Sequence, residues 1–124
     1  MNYEKLTAKK DQLDKARPLP DALLRNLDDW FRVELTYTSN AIEGNTLTRR
    51  ETALVVEKGL TVGGKSLIEH LEATNHAEAL DFIQEQVHRK PHQISAREIL
   101  AIHNTIVKGI DDANAGHYRS VPVR

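Results

Sequence analysis

Residues 21–44, DALLRNLDDWFRVELTYTSNAIEG, carry the strongest amphipathic pattern of the chain and decide its fold class. Apolar residues recur there at steps of three and four, which places them on one face of an α-helix. These residues are Leu24, Leu27, Phe31 and Leu35, and Leu23 and Trp30 widen the same stripe. Gly44 is suited to end the helix because glycine readily adopts a left-handed conformation. The pattern predicts a helix from Asp21 to about Ile42.

Helices are also predicted on both sides of this segment. From Asn2 to Arg17, apolar residues stand at helical spacing in a polar background, which predicts a surface helix that ends before the prolines at 18 and 20. Three capping boxes, each a Ser or Thr followed three residues later by Glu, predict the starts of three later helices. The boxes are Thr48 with Glu51, Ser66 with Glu69 and Ser95 with Glu98, and the helices end near Lys58, Arg89 and Gly109. Because no segment of the body alternates apolar and polar residues, we predict an all-α fold of about five helices.

The last residues, DDANAGHYRSVPVR at 111–124, differ from this helical body. They are loop-like and then favour an extended, flap-like segment. A β-edge without a partner is an unusual end for a domain, because its backbone groups would be unpaired. We therefore expect the chain to stop in mid-domain.

The composition excludes several classes of protein. The 124 residues suffice for one compact domain, and a net charge of −1 does not favour binding to nucleic acid or anionic lipid. The absence of cysteine excludes disulfides and thiol nucleophiles, and it fits a cytoplasmic location. The N-terminal residues are too polar for a signal peptide, and no apolar run is long enough to span a membrane.

The histidines raise the question of a metal site. They are His70, His76, His88, His92, His103 and His117. Glu72 and His76 stand four residues apart on a predicted helix and would supply two ligands, but a surface acid–histidine pair is far commoner. His88 and His92 also stand four residues apart, but Pro91 lies between them and should disrupt the helical geometry. We therefore predict no metal site.

Residues 59–66 match the spacing of a phosphate-binding loop, G-x-x-x-x-G-K-[ST], through Gly59, Gly64, Lys65 and Ser66. Such a loop follows a buried strand, whereas a predicted helix precedes this one. We interpret the match as accidental.

Ser39 and Glu43 lie one helical turn apart near the end of the predicted helix 21–42, so they share a face. A carboxylate at this end opposes the negative end of the helix dipole. Glu43 is therefore either an ordinary exposed acid or a residue with another role.

The stretch around Glu43 resembles a known family. TSNAIEGNTLT resembles the inhibitory segment of Fic-domain proteins, [S/T]-x-x-x-E-[G/N], with Ser39, Glu43 and Gly44 at its defined positions. SLIEHLEATNHAEALDFI is similar to the family's helix with an E-x-x-N-x-x-x-A pattern. Residues 116–123 resemble the family's flap pattern, G-x-Y-R-x-V-P-V, and the resemblance as a whole extends over residues 19–124. The matching flap residues are Gly116, Tyr118, Arg119, Val121, Pro122 and Val123.

The resemblance implies a domain organisation. Residues 1–60 would form an N-terminal helical region with the inhibitory helix at about 21–44, and residues 61–124 would form the first part of a Fic core. The family's catalytic signature, H-P-F-x-[D/E]-G-N-G-R, does not occur in the sequence. The chain is therefore expected to hold no catalytic residue and to be inactive alone.

The resemblance also implies a function for the intact protein. Fic proteins mostly transfer AMP from ATP, with Mg²⁺, to a hydroxyl group of a target protein. Glu43 would pair with the arginine that seats the γ-phosphate and so act as a brake. Ser39 either ties the inhibitory turn by hydrogen bonding or is an ordinary helix-surface serine. The flap residues would align a target segment by strand addition.

Other interpretations remain open from the sequence. The chain would be a non-catalytic inhibitory module, antitoxin-like, if it acted on a separate Fic protein. A plain helical scaffold and a DNA-binding helix-turn-helix are further alternatives, and the near-neutral charge opposes the second. Transfer of a group other than AMP and assembly into a homo-oligomer are not decided by the sequence.

Overall fold

The structure, a computed structural model, describes residues 2–89 and 93–123. These residues form five α-helices and contain no β-strand. The helices are α1 (Tyr3–Lys15), α2 (Asp21–Ile42), α3 (Arg49–Lys58), α4 (Leu67–His88) and α5 (Ala96–Val107). The all-α prediction is confirmed, and α2 has its predicted bounds. His92 and Pro91, which entered the metal argument, lie outside the described residues.

The helix starts follow from local sequence. In all three capping boxes the cap hydroxyl accepts the backbone N–H of the glutamate, and the glutamate carboxylate accepts the backbone N–H of the cap residue. These reciprocal bonds satisfy backbone donors that have no partner inside the helix. Gly59 ends α3 at φ 63°, in the left-handed region. The three predicted capping boxes are confirmed.

The chain divides into two compact units, residues 1–30 and residues 31–124. The first unit holds α1 and the beginning of α2. Its described residues are almost all exposed, which agrees with the predicted surface character of α1. Leu23, Leu24, Leu27 and Trp30, from the apolar stripe of α2, are also exposed.

The second unit contains the core, and α4 packs against both α3 and α5 within it. Leu47, Val55 and Ala73 form the buried cluster, with Val56 and Val62 packed against it. Ala73, Ala77 and Ala79 place small side chains on the buried face of α4. Small residues at these positions fit a core that is aliphatic and tightly packed.

Polar side chains fix the last turns of α2 against the rest of the second unit. Arg32 donates two hydrogen bonds to the Asp81 carboxylate on α4, both at 2.8 Å. Four residues along α2, the fully buried Thr36 hydroxyl lies 2.9 Å from Nδ1 of His76, also on α4. Since Asp81 follows His76 in the chain while Arg32 precedes Thr36, the two helices run antiparallel here. These bonds set the register of the end of α2, which Glu43 directly follows.

The predicted functional boundary at residue 60 stays a prediction. It falls between α3 and α4, which contact each other directly in the second unit.

Candidate functional site

The candidate site is the turn that follows α2 and carries Glu43. The backbone N–H of Glu43 donates to the Asn40 carbonyl at 3.1 Å, and that of Gly44 donates to the Ala41 carbonyl at 3.1 Å. Gly44 has a φ of 98°, a backbone conformation that side chains rarely adopt. A Cβ atom built there would meet no described atom within 4 Å. Backbone conformation, and not lack of space, therefore requires glycine at this position.

Asn45 holds the turn against the rest of the second unit. Its backbone N–H donates to the Asn40 carbonyl at 3.0 Å. Its side-chain Nδ2 donates to the Glu69 carbonyl at 3.1 Å and to Oε2 of Glu72 at 2.7 Å. Its side-chain Oδ1 accepts the backbone N–H of Leu47 at 2.9 Å. One residue thus joins the end of α2, the following loop and α4.

The Glu69 carboxylate secures the next residue of the loop. It accepts the backbone N–H of Thr46 at 2.8 Å and the Thr46 hydroxyl, while it also accepts the backbone N–H of Ser66 at 2.9 Å. Hydrogen bonds from the Thr46 hydroxyl and from the N–H groups of Ser66 and Thr46 lower the pKa of Glu69 to about 2. Glu69 is therefore ionised at neutral pH, where its carboxylate caps the start of α4 and holds the loop at Thr46.

Lys65 is part of the same loop contacts. Its ammonium group donates to the Thr46 carbonyl at 2.7 Å and lies 3.8 Å from the Glu51 carboxylate. A phosphate-binding loop would need this charge for its ligand. The contacts of Lys65 support the interpretation that the match to such a loop is accidental.

The side chains of the predicted inhibitory motif differ in their surroundings. Glu43 is exposed, and within residues 2–89 and 93–123 its carboxylate takes part in no hydrogen bond or ion pair. Ser39 is half-buried, and its predicted hydrogen bond to the turn stays a prediction. The side-chain hydrogen bonds that tie the turn to α4 come from Asn45, which sequence reasoning missed. The only available signal was an asparagine after a helix-ending glycine, a residue type that often bonds to nearby backbone.

The E-x-x-N-x-x-x-A pattern of α4 has a structural explanation. Glu72 accepts the hydrogen bond from Asn45. Asn75, 3% exposed, donates from Nδ2 to the carbonyls of Ile106 at 3.1 Å and Lys108 at 2.8 Å, at the end of α5. Ala79 is buried. Glu72 thus holds the Glu43 turn, Asn75 bonds to the end of α5, and Ala79 lies in the core.

Gly116, the first residue of the predicted flap, is held by a hydrogen bond to α5, and the residues after it are exposed. The backbone N–H of Gly116 donates to Nδ1 of His103 on α5 at 3.0 Å. Gly116 has a φ of 74°, a backbone conformation that favours glycine, and a Cβ atom there would make a tight contact of 3.1 Å with Cβ of Asn104. The other predicted flap residues are all exposed and lie in no strand: Tyr118, Arg119, Val121, Pro122 and Val123. Their role as a target-binding flap stays a prediction.

Three histidines of the described residues, His70, His76 and His103, form side-chain hydrogen bonds within the fold. Burial lowers the pKa of His76, whose ring faces the Thr36 hydroxyl. His70 accepts the backbone N–H of Val62 at Nε2, so its Nδ1 carries the proton that it donates to the Ser66 carbonyl. Glu72 and His76, the candidate ligand pair, have separate partners in Asn45 and Thr36. Within the described ranges, no three histidine, aspartate or glutamate side chains are grouped as a metal site requires.

None of the helices in residues 2–89 and 93–123 combines the length and the apolar character needed to cross a bilayer.

Comparison with known proteins identifies the family. No protein-family model matches the sequence. The protein adenylyltransferase Fic of Culex quinquefasciatus is 30% identical over 121 residues, which are 98% of this chain and 24% of that protein. The protein adenylyltransferase Fic of Nematostella vectensis is 39% identical over 87 residues, which are 70% of this chain and 20% of that protein. A solved structure of Fic-1 (residues 134–508) from C. elegans superposes with a TM-score of 0.85 at 30% identity and covers 97% of this chain. The chain belongs to the Fic family.

The match covers only part of each related protein. The chain spans about a fifth to a quarter of the length of the curated relatives it matches, and 37% of the Fic-1 structure. It corresponds to an N-terminal part of the Fic family. The resemblance noted in the sequence and the all-α Fic fold are confirmed.

Proposed function

We propose that this chain is the N-terminal, autoinhibitory part of a Fic protein adenylyltransferase. The intact protein would transfer AMP from ATP to a hydroxyl side chain of a target protein, with Mg²⁺ bound to the nucleotide phosphates. The names of the relatives support adenylyl transfer, because they are called protein adenylyltransferases. The catalytic residues would lie in other parts of the protein, so the 124-residue chain alone is expected to show no transfer.

The observation that carries the proposal is that the Glu43 carboxylate is exposed and unpaired, within the part of the chain that the structure describes, while its backbone is held in place. It is exposed and has no ionic partner among the described residues, yet it stands on a turn that Asn45 holds in place. A carboxylate in this state is available to an arginine of the catalytic part. A bidentate arginine–carboxylate pair is strong, and in a shielded cleft it resists displacement.

The proposed brake works through charge. With the arginine occupied by Glu43, the γ-phosphate of ATP would lose its counter-ion and meet a negative charge instead. ATP would then bind with its γ-phosphate displaced, and the α-phosphate would not be in line with the attacking hydroxyl. Ser39, one turn before Glu43, would support the turn by hydrogen bonding.

The segment from Gly116 to Val123 would serve the target protein. Its described residues after Gly116 are exposed and unpaired in any strand, which leaves backbone donors and acceptors available. An extended target segment would add to this backbone and bring its hydroxyl to the nucleotide.

The brake is proposed to act within one polypeptide. The relatives carry the matching segment inside a longer chain, and the match continues over the flap region as well as the inhibitory turn. This arrangement favours inhibition within the same protein over an antitoxin-like action on a separate Fic protein.

Glu43→Gly in a protein that joins this chain to its catalytic part tests the proposal. Loss of one charge-assisted pair is worth about 1.5–3 kcal/mol, so AMP transfer should rise about ten- to hundredfold. Incorporation of labelled AMP from ATP measures the rate. Glu43→Gln should also raise transfer, because the amide keeps the shape and loses the charge. Glu57→Gln, at an exposed glutamate near the end of α3, is the matched control and should leave the rate unchanged. Equal transfer in Glu43→Gly and the native protein would rule out the brake.

A further inference from the structure

The position of Glu43 depends on a neighbour that is outside the predicted inhibitory motif. Gly44 links Glu43 to Asn45, and glycine is the most flexible of residues. A Cβ atom at Gly44 would meet nothing described within 4 Å, so backbone hydrogen bonds to Asn40 and Ala41, and not side-chain packing, hold this link to the end of α2. The tie from this turn to α4 comes from Asn45, whose side-chain amide bonds to Glu69, Glu72 and Leu47.

The chemistry of these bonds requires an asparagine. Nδ2 must donate to both a carbonyl and a carboxylate on α4, while Oδ1 must accept a backbone N–H two residues on. An aspartate keeps the acceptor but loses both donors and adds a charge beside Glu72. A serine is too short to reach both sides. The bond to Glu72 is half-buried and charge-assisted, so it is stronger than an exposed neutral one.

A blocking carboxylate has to be placed accurately, because an error of about 0.5 Å is enough to weaken a functional contact. We propose that Asn45 is the positioning residue of Glu43, and that its hydrogen bonds to α4 keep the carboxylate where it blocks the nucleotide. This inference rests on the proposed function of Glu43. It adds the residue whose hydrogen bonds to α4 keep Glu43 in its blocking position. Any change that separates Asn45 from Glu72 is then expected to release the brake while Glu43 itself is intact.

Asn45→Asp in the catalytically complete protein is the direct test. Labelled AMP transfer is expected to rise at least about tenfold, because the charge-assisted bond to Glu72 and the bond to the Glu69 carbonyl are both lost, and not beyond the level of Glu43→Gly. Glu72→Ala removes the same bond from the other side and should raise transfer in the same direction. Asn26→Asp, at an exposed asparagine in α2, is the matched control and should leave transfer unchanged.

Two combined variants separate positioning from general stability. In the Glu43→Gly background, Asn45→Asp should have no further effect on transfer, because the side chain that it positions is already absent. Asn45→Asp combined with Glu72→Gln should restore part of the inhibition, because the new amide on α4 donates to the new carboxylate. A purely structural role would lower transfer in both backgrounds and would not be rescued.

The outcomes divide clearly between the two proposals. If Glu43→Gly does not raise transfer, the proposed function fails, and the role of Asn45 fails with it. If Glu43→Gly raises transfer while Asn45→Asp and Glu72→Ala do not, only the positioning role is overturned. The positioning role is also overturned if Asn45→Asp lowers transfer equally in both backgrounds.

Discussion

Replacement of Asn75 by alanine should destabilise the second unit by a predictable amount. The helix α5 ends at Val107, and the Ile106 carbonyl is among those that lack a partner within the helix. Asn75 supplies that partner, and it also donates to the Lys108 carbonyl, from a position that is 3% exposed. Asn75→Ala removes both donors and leaves space in a packed region.

The expected loss follows from these contacts. Each hydrogen bond contributes about 1 kcal/mol net, and truncation of a buried side chain adds about 1 kcal/mol for the space left behind. Asn75→Ala should therefore lower the free energy of unfolding by about 2–3 kcal/mol. Asn75→Asp should cost more, because a carboxylate cannot donate and would face two carbonyl oxygens at the negative end of α5.

Urea unfolding followed by far-ultraviolet circular dichroism measures these changes, since the fold is all-α. Asn26→Ala, at an exposed position on α2, is the matched control and should change the stability by less than about 0.5 kcal/mol. A loss for Asn75→Ala no larger than that of the control would refute the argument that the α5 end depends on this amide. The same conclusion would follow if Asn75→Asp were as stable as the native chain.

Two further predictions concern the dependence of stability on pH. The pKa of Glu69 in the fold, about 2, lies below its ordinary value of 4.5, so its stabilising effect is complete above pH 4.5 and is lost as the pH falls toward 2. Glu69→Gln should reduce this acid loss in urea midpoints measured across that range, and an unchanged acid slope would contradict the assignment. Burial lowers the pKa of His76 below 6.5, so the unfolded chain takes up its proton first and stability should fall as the pH drops below 6.5. His76→Gln should flatten that part of the profile, whereas an equal slope in both proteins would show that another group titrates.

The candidate site was predictable from the sequence only in part. Ser39, Glu43 and Gly44 stand within six consecutive positions, so their pattern is visible in the linear chain. Asn45 is adjacent to them, but its partners Glu69 and Glu72 lie 24 and 27 residues away. No local rule connects an asparagine with a particular glutamate at that distance. For the same reason, the sequence shows Asn75 only as part of a family pattern, and its bonds to the end of α5 are visible only in the structure.

The sequence by itself determined where the helices begin and end. A capping hydroxyl and its glutamate are three residues apart, and a helix-ending glycine acts through its own backbone, so these signals need no distant partner. Only the tertiary structure decided which side chains hold the Glu43 turn and which apolar residues are buried. The stripe of α2 shows the difference, because its spacing specifies a helix while the exposure of Leu24 and Leu27 depends on what packs beside them. Hydrogen bonds within one turn are set by bond geometry, whereas contacts between helices depend on how the whole chain packs.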